Sequence, residues 1–256
     1  MRIFKRKTAH TEDLYQIEIM PARKNNVIAL AGNPNTGKST IFNRLTGLRQ
    51  HTGNWPGKTV KKAEGEFTFK NEEFKLIDLP GTYSLLSTSE DEEVARDFIL
   101  FGNPDATIIV CDASVLERNL NLAFQIMQIT YRCVLCVNLI DEARRKGFEI
   151  DKEQLEKEIG VPVVLTNAKS GEGIEELKEK MYLVATRLIK PNPRKIEMKD
   201  SIRKKIDLLV PLINESFTDL YSAEWIAMRL LEGDSKIFNA IKNGKLVELV
   251  NKGKLE

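Results

Sequence analysis

Residues 32–39 read Gly-Asn-Pro-Asn-Thr-Gly-Lys-Ser, which satisfies the spacing Gly-x-x-x-x-Gly-Lys-Ser/Thr, and the chemistry of that spacing is phosphate binding. The loop through Asn33, Pro34, Asn35, Thr36 and Gly37, with the helix start at Lys38, Ser39 and Thr40, is expected to turn backbone N–H groups toward an anion. Lys38 would neutralise phosphate charge, and Ser39 would offer its hydroxyl to Mg²⁺. Asp78 and Gly81 follow in "DLPGTYSL". The carboxylate of Asp78 can reach Mg²⁺ through water, and Gly81 lets the backbone approach a terminal phosphate. Thr82 stands where many nucleotide switches place a water-orienting Gln.

A base-reading pair lies farther along, in "VNLID". Asn138 and Asp141 close a predicted strand, and a carboxylate can accept from both N1 and N2 of guanine, a donor pair that adenine lacks. Leu139 occupies the position where many guanine-binding proteins carry Lys, which leaves aliphatic packing on the base. In "TNAKSGEG", Asn167, Ala168 and Lys169 are expected beside the base, with the Ala168 N–H donating to O6.

Between these motifs, "HTGNWPGKTV" reads as a switch loop. Gly53, Trp55, Pro56 and Gly57 are expected to be loop residues, and Thr59 is spaced to close on Mg²⁺ with its hydroxyl. The acidic run 89–98 reads as a helix start capped by Ser89 or Asp91, with acidic residues complementing the dipole, rather than as a ferrous site. Cys133 and Cys136 form Cys-x-x-Cys, but on a buried strand residues three apart face opposite ways. Cys111, Cys133 and Cys136 are therefore expected to be core thiols. His10 and His51 do not make a metal cluster.

Those residues need a scaffold, and the apolar runs supply it. "VIALAG", "EFTFK", "FKLID", "ATIIVCDAS", "CVLCVNLID" and "VPVVLTNA" read as strands. Amphipathic stretches such as "ERNLNLAFQIMQITY" and "GIEELKEKMYLVATRLI" alternate with them. This order predicts an α/β fold, a mostly parallel sheet flanked by helices with ligands at the strands' carboxyl ends. "IKPNPRK" ends the last of these helices. An all-helical part follows, in which Pro211 is expected to kink or end a turn and "KLVELVNKG" forms a last helix. The reading divides the chain into an extension at 1–25 with one strand, "LYQIEI", a nucleotide domain at 26–190, and a small helical domain at 195–256.

Composition sets the outer limits. The 256 residues are 42% hydrophobic, enough for a core, and 39 Lys and Arg against 37 Asp and Glu give a charge of +2. Nucleic-acid binding is not expected from so even a balance. The start, "MRIFKRKTAHTED", is positive but lacks the apolar run of a signal peptide. No stretch reaches the roughly 18 apolar residues of a membrane helix, so the chain as given is expected to be soluble.

Together "GNPNTGKSTIFNRLTG", "GNWPGKTV", "DLPGTYSL", "CDASVLERNLNLAFQI" and "WIAMRLLEGD" resemble the cytoplasmic N-terminal region of the bacterial ferrous iron transport protein B (FeoB) family. The resemblance runs from about Asn26 to the end, and the Gly-Asn-Trp-Pro-Gly and Leu-Glu-Arg-Asn-Leu segments are its most specific parts. Lys58, Asn167 and the N-terminal extension depart from the family pattern. The resemblance implies a P-loop GTPase domain and a helical (GDI-like) domain, joined in the same polypeptide to a membrane permease for Fe²⁺. It places this region on the cytoplasmic face of the inner membrane, with small accessory proteins of the same uptake system and self-association as further partners.

The resemblance also implies an answer to the missing Gln: GTP, converted slowly to GDP with Mg²⁺, and a K⁺ ion supplying charge. Asn35 and the carbonyls of Gly53 and Trp55 would hold K⁺, while backbone groups near Gly57 or Gly81 orient the water. Asn35, Lys38, Thr59 and Gly81 are thus the expected catalytic set. Two other readings share the motifs: an RNA- or ribosome-associated GTPase, and a nucleotide sensor with negligible turnover.

Overall fold

A computed structural model describes residues 26–47, 50–56, 58–86, 89–195, 198–216 and 222–243. In chain order the first half runs β1 (Asn26–Gly32), α1 (Lys38–Thr46), β2 (Gln50–Asn54), β3 (Lys61–Phe69), β4 (Glu72–Asp78), α2 (Glu90–Phe101) and β5 (Ala106–Asp112). After a 3-10 turn come α3 (Leu116–Ile129), β6 (Cys133–Asn138), α4 (Ile140–Arg145), α5 (Lys152–Ile159), β7 (Val163–Leu165) and α6 (Ile174–Ala185). The helical part contains α7 (Asp200–Ser216), α8 (Ala223–Leu231) and α9 (Ser235–Lys242). The expected strand at "LYQIEI" and helix at "KLVELVNKG" lie outside the described residues.

The seven strands form one sheet in the order β2-β3-β4-β1-β5-β6-β7. β4, β1, β5, β6 and β7 pair in parallel, whereas β2 and β3 add an antiparallel edge. The alternation of each strand divides the core into two layers. Ile28, Leu30, Ile108, Val110, Val134 and Cys136 face α1 and α6 through Phe42, Leu45, Leu177 and Met181. Ala29, Ala31, Ile109, Cys111, Cys133 and Leu135 face the other way, toward Ile99 and Ile126. Cys133 and Cys136 therefore sit on opposite faces, and all three thiols are free and buried.

Two local expectations need correction. Gly53 lies not in a loop but in β2, opposite Lys62, because backbone pairing along the edge overrides the turn-rich composition. α6 ends at Ala185, short of Ile189, and Arg187 takes a left-handed φ of 62°. Of the two outcomes expected at Pro211, the helix does not end there: α7 continues through it to Ser216.

The linker is fastened down. Asn192 and Arg194 donate their backbone N–H groups to the carbonyls of Gly160 and Ile159 at 2.9 and 2.8 Å. Beyond it, Ile206, Ile213, Trp225, Ile226 and Ile237 belong to the same apolar cluster as the α2 and α3 residues. Ser222 caps α8 and also donates to the Gln128 carbonyl at the end of α3, at 3.3 Å.

Candidate nucleotide site

The parallel strands end along one rim, and the chemistry-bearing residues gather there. Gly37 precedes α1 with φ 81° and no side chain caps the helix; the Thr40 N–H bonds the Gly37 carbonyl at 3.0 Å, which leaves those of Lys38 and Ser39 for an anion. Asn33 and Thr36 are buried, and the Thr36 hydroxyl closes the loop on the Asn33 carbonyl at 2.9 Å. Asn35 has φ 66° and, like Ser39 and Thr40, is exposed.

Lys38 donates its Nζ to Asp78 and, at 2.6 Å, to the Leu79 carbonyl. Burial raises the Asp78 carboxyl above its ordinary range even though Lys38 pulls it down. The strand-end motif lies tight on the loop: a Cβ on Gly81 would come within 3.3 Å of Pro34 Cα. The Thr82 N–H donates to the Gly32 carbonyl at 3.4 Å, and Thr82 is only 5% exposed. A buried Thr cannot do the work of an exposed, water-orienting Gln.

At the other end of the rim, Asn138 joins the phosphate loop to the base turn. Its Nδ2 donates to the Thr36 carbonyl at 2.9 Å. Its Oδ1 accepts from Thr166 Oγ1 and the Ala168 N–H, both at 3.0 Å. A Cβ on Gly37 would lie 2.3 Å from Asn138 Nδ2 and 3.9 Å from Leu139 Cδ2. Leu139 thus reaches over the loop glycine from a left-handed backbone, φ 62°.

Asp141 follows in the first turn of α4, and its Oδ1 is buried without a hydrogen-bond partner among the described residues. A buried carboxylate oxygen without a donor is costly. The paired N–H edge of guanine would satisfy it, so the residues present fit that base. The Ala168 N–H is already taken by Asn138, and Asn167 Oδ1 accepts from Lys169 and Ser170 at 3.1 and 3.3 Å.

The segment expected to act as a switch is held elsewhere. Thr59 Oγ1 donates to Glu90 of α2 at 2.8 Å, so its hydroxyl points at that helix. Trp55 sets its ring edge-on to Phe98 of α2 at 5.4 Å, and its carbonyl accepts the Lys58 N–H at 3.0 Å. No hydrogen bond joins Asn35 to Gly53 or Trp55 among the described residues, and Gly57 is not among them. Ser89, rather than Asp91, caps α2 by accepting the Glu92 N–H at 3.2 Å.

Sequence reasoning missed three polar residues. Buried Asn119 accepts the Asp112 N–H at 2.9 Å and donates to Val115 O, fastening the end of β5 to α3. Gln125 accepts the Leu85 N–H at 2.7 Å and holds the segment after Thr82. Arg44 donates from α1 to the Ala168 and Lys169 carbonyls. Arg44 lies in "GNPNTGKSTIFNRLTG" and Asn119 and Gln125 in "CDASVLERNLNLAFQI", segments that carry the family resemblance but no role for these three side chains.

A family model described as "Ferrous iron transport protein B" matches residues 26–181. The chain belongs to that family. A second FeoB model, "FeoB cytosolic helical domain", matches residues 199–254. The Fe(2+) transporter FeoB of Salmonella typhimurium is 38% identical over 211 residues, 81% of this chain but 27% of that protein. This chain therefore spans about a quarter of the length of such FeoB relatives. The cytosolic domain of T. maritima FeoB in apo form superposes with a TM-score of 0.75 at 38% identity, covering 88% of this chain and 86% of that one. That of L. pneumophila FeoB gives 0.77 at 34% identity, with 88% of each chain covered. Among the described residues no helix is long and apolar enough to cross a membrane.

Proposed function

We propose that this chain binds GTP and hydrolyses it slowly to GDP and phosphate, as the cytoplasmic regulatory region of a bacterial ferrous iron transporter. The membrane permease would belong to the same polypeptide, with this region on the inner-membrane face. Residues 26–190 would form the G domain and 195–256 the helical domain. Neighbours in structure include T. maritima FeoB cytosolic domains in GDP and GMPPNP forms, which supports a guanine nucleotide here. The observation that carries the reading is the Asn138 bridge between the phosphate loop and the base turn, with the unpartnered Asp141 Oδ1 beside it.

In this reading Lys38 leaves Asp78 for the β- and γ-phosphates, and Asp141 accepts N1 and N2 of the base. Ser39 and Asp78 hold Mg²⁺, joined by Thr59 once it leaves Glu90. Asn35, with the Gly53 and Trp55 carbonyls, holds K⁺. When bound, the two ions supply positive charge against that gathering on the phosphoryl oxygens. Backbone groups near Gly57 or Gly81 would orient the water that attacks phosphorus, and the bond to the β–γ bridging oxygen breaks. Thr82 takes no part.

Calorimetry with GDP and ADP tests the base, and turnover in KCl and in NaCl tests the cation. We expect a preference for GDP of at least about 100-fold, each tenfold being about 1.4 kcal/mol. Equal affinities would overturn the nucleotide reading. Equal rates in the two salts would remove the K⁺ role alone.

A further inference from the structure

We infer that Arg44 is a positioning residue for guanine recognition, acting through the turn at 166–170 without touching the nucleotide. The inference rests on the GTP reading above and deepens it. Arg44 stands in the last turn of α1, the helix that begins at the phosphate loop. Its Nε donates to the Ala168 carbonyl at 2.9 Å, and its Nη2 donates to the Lys169 carbonyl. One planar fork therefore grips two successive carbonyls, which a point-charge ammonium cannot do.

The grip has a consequence on the far side of the turn. In a trans peptide the C=O and the following N–H lie in one plane and point in opposite directions. Pinning the Ala168 and Lys169 carbonyls outward fixes the N–H groups of Lys169 and Ser170 inward. There the Asn167 Oδ1 accepts both, at 3.1 and 3.3 Å. The neighbouring Ala168 N–H is fixed by Asn138 in the same way. The turn is thus an ordered set of donors clamped between Asn138 on one side and Arg44 on the other. An incoming carbonyl such as O6 of guanine can exchange with these side-chain acceptors with little further ordering of the backbone. Asp141, which would read N1 and N2, belongs to α4 and has no hydrogen bond to Arg44.

The separation of the two base edges yields a test. Dissociation constants are measured by competition for the whole chain and for Arg44→Ala and Arg44→Lys. The ligands are GDP, inosine diphosphate, which lacks N2, 2-aminopurine riboside diphosphate, which lacks O6 and with it the N1 proton, and ADP. In Arg44→Ala the preference for GDP over the 2-aminopurine nucleotide should fall about three- to tenfold, as expected for charge-assisted hydrogen bonds from an exposed side chain. The preference for GDP over inosine diphosphate should stay unchanged. Arg44→Lys keeps a positive charge at the helix C-terminus and should recover only part of the loss.

Unchanged ratios in Arg44→Ala would overturn the inference, as would an equal fall of both ratios, which would mean general loosening of the site. Full recovery in Arg44→Lys would assign the effect to the helix dipole and also overturn it. Equal binding of ADP and GDP by the unaltered chain would sink the nucleotide reading itself, a result separate from these.

Discussion

Glu93, in the first turn of α2, pairs with Lys58 of the loop between β2 and β3, with Nζ 2.5 Å from Oε2. Its other oxygen lies 3.8 Å from Lys236 Nζ of α9. One carboxylate thus ties the loop before β3 to the sheet's flanking helix and to the helical part.

Removing that tie should free the loop. In a Trp225→Phe background, which leaves Trp55 as the sole reporter, Glu93→Gln or Lys58→Ala should raise acrylamide quenching of Trp55. Partly exposed pairs are worth up to about 1 kcal/mol, so the open population should rise up to about fivefold. Unaltered quenching in both variants would show that Trp55 packing on Phe98 suffices by itself.

Acid should act on the same tie. Burial pushes the Glu93 carboxyl up, but Lys58, then Lys236 and Arg96, outweigh it and hold the group below its ordinary value of 4.5. A depressed folded-state value means that the contribution is fully present above the ordinary value and is lost as pH falls through the depressed one. Trp55 quenching should therefore stay flat from about pH 8 to about pH 5 and rise below that. The rise should be smaller in Glu93→Gln.

Gly37→Ala tests the contact between phosphate loop and base turn. The position has φ 81°, and a Cβ there would meet Asn138 Nδ2 at 2.3 Å. Backbone strain and displacement of the Asn138 hydrogen bonds should together cost about 2 to 4 kcal/mol in urea unfolding, and nucleotide affinity should fall as well. A stable variant with unchanged affinity would mean that Asn138 does not couple the two loops.

The thiols should be silent. Burial pushes Cys136 up to about 12, with Thr166 opposing, and raises Cys111 and Cys133 as well. A thiol reagent should label none of them in the native protein and all three in denaturant. Rapid native labelling of Cys133 or Cys136 would revive a redox role.

The frame was legible because its strands are short apolar runs bounded by turns, and the phosphate loop because its spacing leaves few alternatives. β2 was not legible: Gln50, His51, Thr52, Gly53 and Asn54 have no apolar alternation, and it is pairing with β3 that makes them a strand. Nor was the setting of Thr59, since its bond to Glu90 joins residues 31 apart in sequence. Arg44 carried no signal either, because its partners are backbone carbonyls more than 120 positions away, and those look alike in any sequence.

The oily layer that runs without a break from Ile99 and Ile126 to Ile226 and Ile237 makes mechanical partners of two stretches that the sequence sets apart. Heated, they should melt in one endotherm, not two. Whatever leans on α9 from outside should then reach α2 and α3 through that layer.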